Sequence, residues 1–170
     1  MALKLPTSLS PSKVSTFTDC ALSFRFSAIN KIPQPPTVAT VKGTLVHSAL
    51  ERLLALDAAD RTVDNAITCL HDASAELDAD PEWRELALNA DDQATFFRDA
   101  DLLVHKYFDI EDPTSIEPIG LELHVEHELT VKEGSSVTLR GIIDRLERDA
   151  NGQLVVSDYK TGKAPAEGYQ

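Results

Sequence analysis

Leu139-Arg140-Gly141-Ile142-Ile143-Asp144-Arg145, then Asp149-Ala150-Asn151-Gly152-Gln153, then Leu154-Val155-Val156-Ser157-Asp158-Tyr159-Lys160 reads as two strands joined by a tight turn. If the turn is the three-residue type, Ala150-Asn151-Gly152 with Gly152 in the left-handed conformation, Asp149 pairs with Gln153 and Asp144 falls opposite Asp158. A two-residue Asn151-Gly152 turn would shift the register by one and send Asp144 to the other face. Asp158 and Lys160 are two apart on a strand and share a face, while Tyr159 points the other way. The odd-length turn therefore predicts two carboxylates and an ammonium in one patch.

Two carboxylates about 4 Å apart repel by roughly 4 kcal/mol at an effective dielectric near 20, and a bridging divalent cation removes that repulsion. Oxygen ligands of this kind suit Mg²⁺ or Mn²⁺ better than zinc. Such an ion polarises a phosphodiester, and Lys160 would orient the attacking water or offset the charge that grows on phosphorus. By itself the pattern also suits a solvated face with cross-strand ion pairs, so the hairpin alone leaves both readings open.

Working outward, Leu121, Leu123, Val125, Leu129 and Val131 alternate with polar residues, the period of a half-buried strand, and Gly134-Ser135-Ser136 marks a turn. The N-terminal part follows the helical period instead. Ser10 and Pro11 open a helix as N-cap and first residue, running through Val14, Phe17, Ala21, Leu22 and Phe24 to a Pro-rich linker, Lys31 to Thr37. Gly43 and Thr44 lead into a second helix carrying Leu45, Val46, Ala49, Leu50, Leu53 and Leu54. Two further helical stretches span Val63 to Leu77 and Pro81 to Phe108. The expected fold is α/β: one domain over 1–170, with a helical part, 1–112, and a strand-rich catalytic part, 113–170. A chain of 170 residues buries one sizeable core and is too short for two.

No stretch approaches the roughly 20 apolar residues of a membrane span and the N-terminus lacks a signal-type apolar run, so the expected setting is cytoplasmic with no membrane partner. Cys20 and Cys69 are too few for a disulfide framework. Cys69 and His71 lack the matching second pair that a zinc site needs. Lys160-Thr161-Gly162-Lys163 fails as a P-loop because Ser157 stands where that motif needs glycine. The net charge of −12 argues against strong non-specific nucleic-acid binding. The charge is segregated, however: from Met1 to His47 the only acid is Asp19 against five Lys and Arg, whereas Asp57 to Asp101 holds most of the excess carboxylates.

Taken together, Gly141-Ile142-Ile143-Asp144-Arg145, Asp158-Tyr159-Lys160-Thr161-Gly162 and, far upstream, Gly43-Thr44-Leu45-Val46-His47 closely resemble the RecB-family exonuclease branch of the PD-(D/E)XK nucleases. The resemblance covers nearly the whole chain, since Ser10-Pro11-Ser12 and Asp19-Cys20 also fit the family's opening helix. It implies a restriction-endonuclease-like core, a mixed β-sheet with flanking helices. It further implies a Mg²⁺- or Mn²⁺-dependent DNA nuclease, an exonuclease by its branch, acting in DNA repair or recombination. Asp144 and Asp158 become metal-binding acids, Lys160 the catalytic lysine, His47 a further metal ligand, and the Tyr159 backbone carbonyl completes the shell. Many relatives also hold a [4Fe-4S] cluster through one cysteine in the opening helix and three near the C-terminus. Cys20 stands at the first of these positions and the other three are absent. The family's Q-x-x-x-Y helix would begin about where Tyr169-Gln170 ends the sequence, so the domain is expected to be incomplete and its activity reduced. The alternatives are an inactive nuclease-like DNA-binding module and a subunit that docks on a helicase.

Overall fold

A computed structural model describes residues 5–130, 136–149 and 151–162; the turn expected at Gly134-Ser135 and the loop residue Ala150 lie outside them. The chain divides into two compact units, Met1–Gln34 with Glu122–Ile143, and Pro35–Leu121 with Asp144–Gln170.

In the first unit Ser10 caps helix α1 (Pro11–Asp19): its hydroxyl accepts the Lys13 N–H at 3.3 Å, and Pro11 stands at the first turn, where no N–H is needed. The expected single helix is interrupted at Cys20, whose extended backbone ends α1 before α2 (Ala21–Phe24) and a π-helical turn, Arg25–Ile29. Phe17 and Phe24 pack edge to face at 5.3 Å. Strand β1 (Ser8–Leu9) pairs in parallel with β3 (Ser136–Arg148), Leu9 opposite Leu139, and β2 (Pro118–Thr130) also borders β3. The period-two stretch is thus a strand, but it does not bury one face here: Val125 and Leu129 are 39% and 40% exposed, and Ile142 on β3 is 54% exposed. Glu122 has φ 44, a left-handed backbone inside a strand. Such outliers cluster at functional positions.

The second unit holds the main core. Helix α3 spans Val38–Leu54 and starts well before Gly43, because Thr37 and Thr40 form a reciprocal capping box that sequence reasoning passed over. Its buried stripe of Val41, Leu45, Ala49, Leu50 and Leu53 packs on α4 (Val63–Ser74), which Thr62 caps. The stretch expected as one helix from Pro81 to Phe108 is two, α5 (Pro81–Leu86) and α6 (Ala90–Ile110). Ala87, with φ 48 and ψ 40, ends α5, and the Asn89 side chain caps α6 by accepting the Asp92 N–H. Phe96, Ala100 and Val104 bring α6 into the core, and Trp83 covers Phe96 and Phe97. Arg61 is buried and donates to the carbonyls of Leu56, Pro113 and Ile116, which ties down the connection into β2. Strand β4 (Leu154–Ser157) pairs antiparallel with the last residues of β3.

One partner of β3 is parallel and another antiparallel, so the sheet is mixed and the α/β class expected from the sequence is the one found. No helix among the described residues is long and apolar enough to cross a membrane.

Two substitutions test these assignments by urea unfolding. Leu53→Ala, at a side chain with no exposure, should lose about 2–5 kcal/mol through lost transfer energy and the cavity left behind. Ala87→Gly should instead gain about 1 kcal/mol, because glycine relieves the left-handed backbone that ends α5.

Candidate metal centre

The hairpin has the odd-length register. Arg145 stands opposite Ser157 and Arg148 opposite Leu154, the Asp149 N–H donates to the Gln153 carbonyl at 2.9 Å, and Gly152 takes φ 80. The Asp149 carboxylate stabilises the turn by accepting the N–H groups of Asn151 and Gln153 at 2.9 and 2.7 Å. Continued one step, this register sets Asp144 against Asp158. The Asp144 side chain turns inward, 12% exposed, and its Oδ2 accepts the Tyr159 N–H at 2.8 Å.

His47 reaches the same point from α3. Its Nε2 donates to the Tyr159 carbonyl at 2.8 Å, and its Nδ1 lies 3.4 Å from Asp144 Oδ2. The glycine one turn earlier lies close to the segment after Tyr159: a Cβ at Gly43 would come 3.1 Å from Thr161 Oγ1, a tight contact that the threonine side chain would have to yield to. A neutral imidazole has one N–H, yet His47 faces two acceptors, a carbonyl and a carboxylate. A cation held between Nδ1 and the Asp144 carboxylate would remove that mismatch. His47 Nδ1 and the Asp144 carboxylate are a nitrogen and an oxygen donor of the kind a divalent cation takes, and the Tyr159 carbonyl lies on the Nε2 side of the same ring.

Asp158 and Lys160 are placed differently. Their side chains are 54% and 80% exposed and pair with each other at 2.5 Å. Among the described residues Asp158 does not join His47 and Asp144 in a ligand cluster. Asp158 thus has the Lys160 ammonium as its partner, whereas Asp144 has the Tyr159 amide and lies beside the His47 ring.

Tyr159 faces the opposite way from Asp158 and packs against the core. Its ring meets Tyr107 and His47 edge to face, with centroids 5.8 and 5.9 Å apart, and its hydroxyl accepts from Arg145 Nη1 at 2.7 Å. Arg145 is buried at 3% exposure. It forks onto Glu111, the C-cap residue of α6, at 2.6 and 2.8 Å, and donates to Ser157 Oγ at 3.0 Å. Its Nε lies 3.3 Å from a Glu147 carboxylate oxygen without the alignment of a hydrogen bond. Burial would raise the Glu111 carboxyl, but the Arg145 hydrogen bonds and charge outweigh it and hold the group below the usual carboxylate range. Burial likewise pushes both tyrosine phenols up, with Arg145 opposing it at each. Sequence reasoning missed Glu111 and Tyr107, which carry no local motif.

The two cysteines do not amount to a four-thiolate site. Cys20 is exposed, whereas Cys69 is buried in the α3–α4 core, where burial pushes its thiol up. His71, two residues along α4, faces solvent away from Cys69.

Residues 8–170 match the family model of the PD-(D/E)XK nuclease superfamily. No curated protein matches the chain.

Replacing Glu111 tests the buried pair through pH. Because the Glu111 carboxyl is depressed in the folded state, its contribution is complete above the ordinary glutamate pKa of 4.5 and is lost as pH falls through the lower folded value. Glu111→Gln should cost about 2–3 kcal/mol near pH 7, because Arg145 loses a charged partner. The variant's stability should then fall less steeply than the wild type's below pH 4.5, as read from urea midpoints across that range.

Proposed function

The chain belongs to the PD-(D/E)XK nuclease superfamily, and from that premise we propose that it is a Mg²⁺- or Mn²⁺-dependent deoxyribonuclease, an exonuclease of the RecB type serving DNA repair or recombination. The observation that supports this reading most directly is the approach of His47 Nδ1 to the Asp144 carboxylate at 3.4 Å, with the Tyr159 carbonyl 2.8 Å from the other ring nitrogen. In this reading His47, Asp144, Asp158 and the Tyr159 carbonyl hold the cation, which supplies a Lewis acid for the scissile phosphate when bound.

The protein groups account for the rest of the chemistry. Hydrolysis forms a bond from water oxygen to phosphorus, breaks the bond to the sugar oxygen, and passes a proton from the water to the leaving oxygen by way of solvent. Lys160, exposed beside Asp158, is free to turn its ammonium to the phosphate and offset the charge growing on its oxygens. Asp144 keeps its orientation through the Tyr159 amide, so its free lone pairs face the cation in a preset geometry.

A second reading is a nuclease-like module that does not cleave and docks on a helicase or on DNA. The exposed Val125, Leu129 and Leu139 favour it, because apolar residues gathered on one face of the sheet suit a protein partner.

Calorimetric titration of Mn²⁺ into chelator-treated protein, paired with cleavage of linear and circular DNA, separates the two. Wild type should bind Mn²⁺ and degrade linear DNA, and Asp144→Ala should abolish both. His47→Ala should weaken Mn²⁺ by about tenfold or more. Lys160→Ala should retain Mn²⁺ while kcat falls by about 100- to 1,000-fold. Wild-type Mn²⁺ binding without cleavage of either DNA would replace the enzyme by the docking module.

A further inference from the structure

We propose that Arg145, together with Glu111, is a positioning residue for the metal centre, acting through the Tyr159 hydroxyl; the inference rests on the reading of His47 and Asp144 as metal ligands.

The peptide groups of Tyr159 govern both ligands. Its N–H is hydrogen-bonded to Asp144 and its carbonyl to His47. The backbone of residue 159 is in turn held by its side chain, because residues 158–160 lie beyond the end of β4 and have no ladder to fix them. Two kinds of contact hold that side chain. The Tyr107 and His47 rings fix the plane of the Tyr159 ring, and Arg145 Nη1 fixes its far end at 2.7 Å. The guanidinium lies 5.6 Å from the same ring's centroid, so it meets Tyr159 through both the hydroxyl and the π face.

Arg145 suits this task because its planar fork addresses several acceptors at once. Glu111 closes the end of α6, Ser157 ends β4, and Tyr159 follows it; the guanidinium bonds to all three. A buried ion pair adds little to stability that apolar residues of the same volume would not supply. Apolar residues would, however, leave the Tyr159 hydroxyl without a donor and residue 159 free to shift. Since Asp144 and Arg145 are consecutive on β3, one strand delivers the ligand to one face and its positioning group to the other.

Tyr159→Phe removes a single oxygen and keeps the ring, so it tests this link with little risk to folding. Mn²⁺ alone is the probe, titrated calorimetrically into wild type, Tyr159→Phe, Glu111→Gln and the double variant, with amide exchange of the metal-free proteins as the second measurement. Tyr159→Phe should bind Mn²⁺ about tenfold more weakly. Its residue-159 amide should exchange faster by a similar factor while amides of the α3 core keep wild-type rates. The double variant should be no weaker than the weaker single one, because both act through one chain of contacts. A Tyr159→Phe protein with wild-type Mn²⁺ affinity and an unchanged residue-159 amide would overturn the inference and leave the metal reading standing. Failure of the wild type to bind Mn²⁺ would overturn the metal reading and this inference with it.

Discussion

A guanidinium at 3% exposure must find acceptors inside the protein, and the arrangement around Arg145 follows from that requirement. Removing a full charge from water costs several kcal/mol even after relaxation. That cost is offset only if carboxylate and hydroxyl oxygens converge on the fork, which obliges the chain to bring together segments far apart in sequence. Glu111 is delivered by the end of α6, Ser157 by β4, and Tyr159 by the segment beyond it. The long core helix and the terminal hairpin are therefore tied to one another by a polar contact, and Tyr107 packs beside it on the Tyr159 ring.

The three sequence motifs then divide into residues that offer chemistry and residues that place them. In the helix motif His47 offers a nitrogen, and Gly43, a turn earlier, leaves room for the Thr161 side chain. In the first strand motif Asp144 offers a carboxylate and Arg145 anchors the opposite face. In the second, Asp158 and Lys160 present charge to solvent, and Tyr159 between them turns inward to link core and site. Spacing of two on a strand and four on a helix is what makes such a division physically available.

Much of this was legible in the sequence because it depends on local chemistry. Ser10 and Pro11 announce a helix start, and Gly152 supplies the positive φ that sets the hairpin register and hence the direction of Asp144. The remainder depends on contacts that no local rule encodes. The break between α5 and α6 rests on an alanine held left-handed, where glycine would have signalled it. The start of α3 at Val38 rests on threonine at both ends of its capping box, where a glutamate at the second position is the usual sign. Glu111 reads as one more acid in an acid-rich stretch, and only tertiary packing reveals it as the partner of Arg145. The alternation in β2 correctly marks a strand, but periodicity cannot say whether anything covers its apolar side.

The outward position of Asp158 and Lys160 bears on how an acidic chain meets an anionic substrate. An exposed ion pair of this kind contributes on the order of 1 kcal/mol or less, since water screens both partners. Exchanging it is therefore cheap, and under the proposed reading Asp158 would be available to a cation and Lys160 to a phosphate at little cost. Asp144 and His47 differ, being mostly buried and fixed by the Tyr159 peptide, and reorganising them would cost more. The structure thus sets a fixed pair, His47 and Asp144, beside a loosely paired one, Asp158 and Lys160, and the proposed reading would use the first for geometry and the second for charge. An arrangement with both acids buried together would carry their repulsion permanently in the fold, whereas with Asp158 turned to solvent that repulsion would arise only with a cation there to offset it.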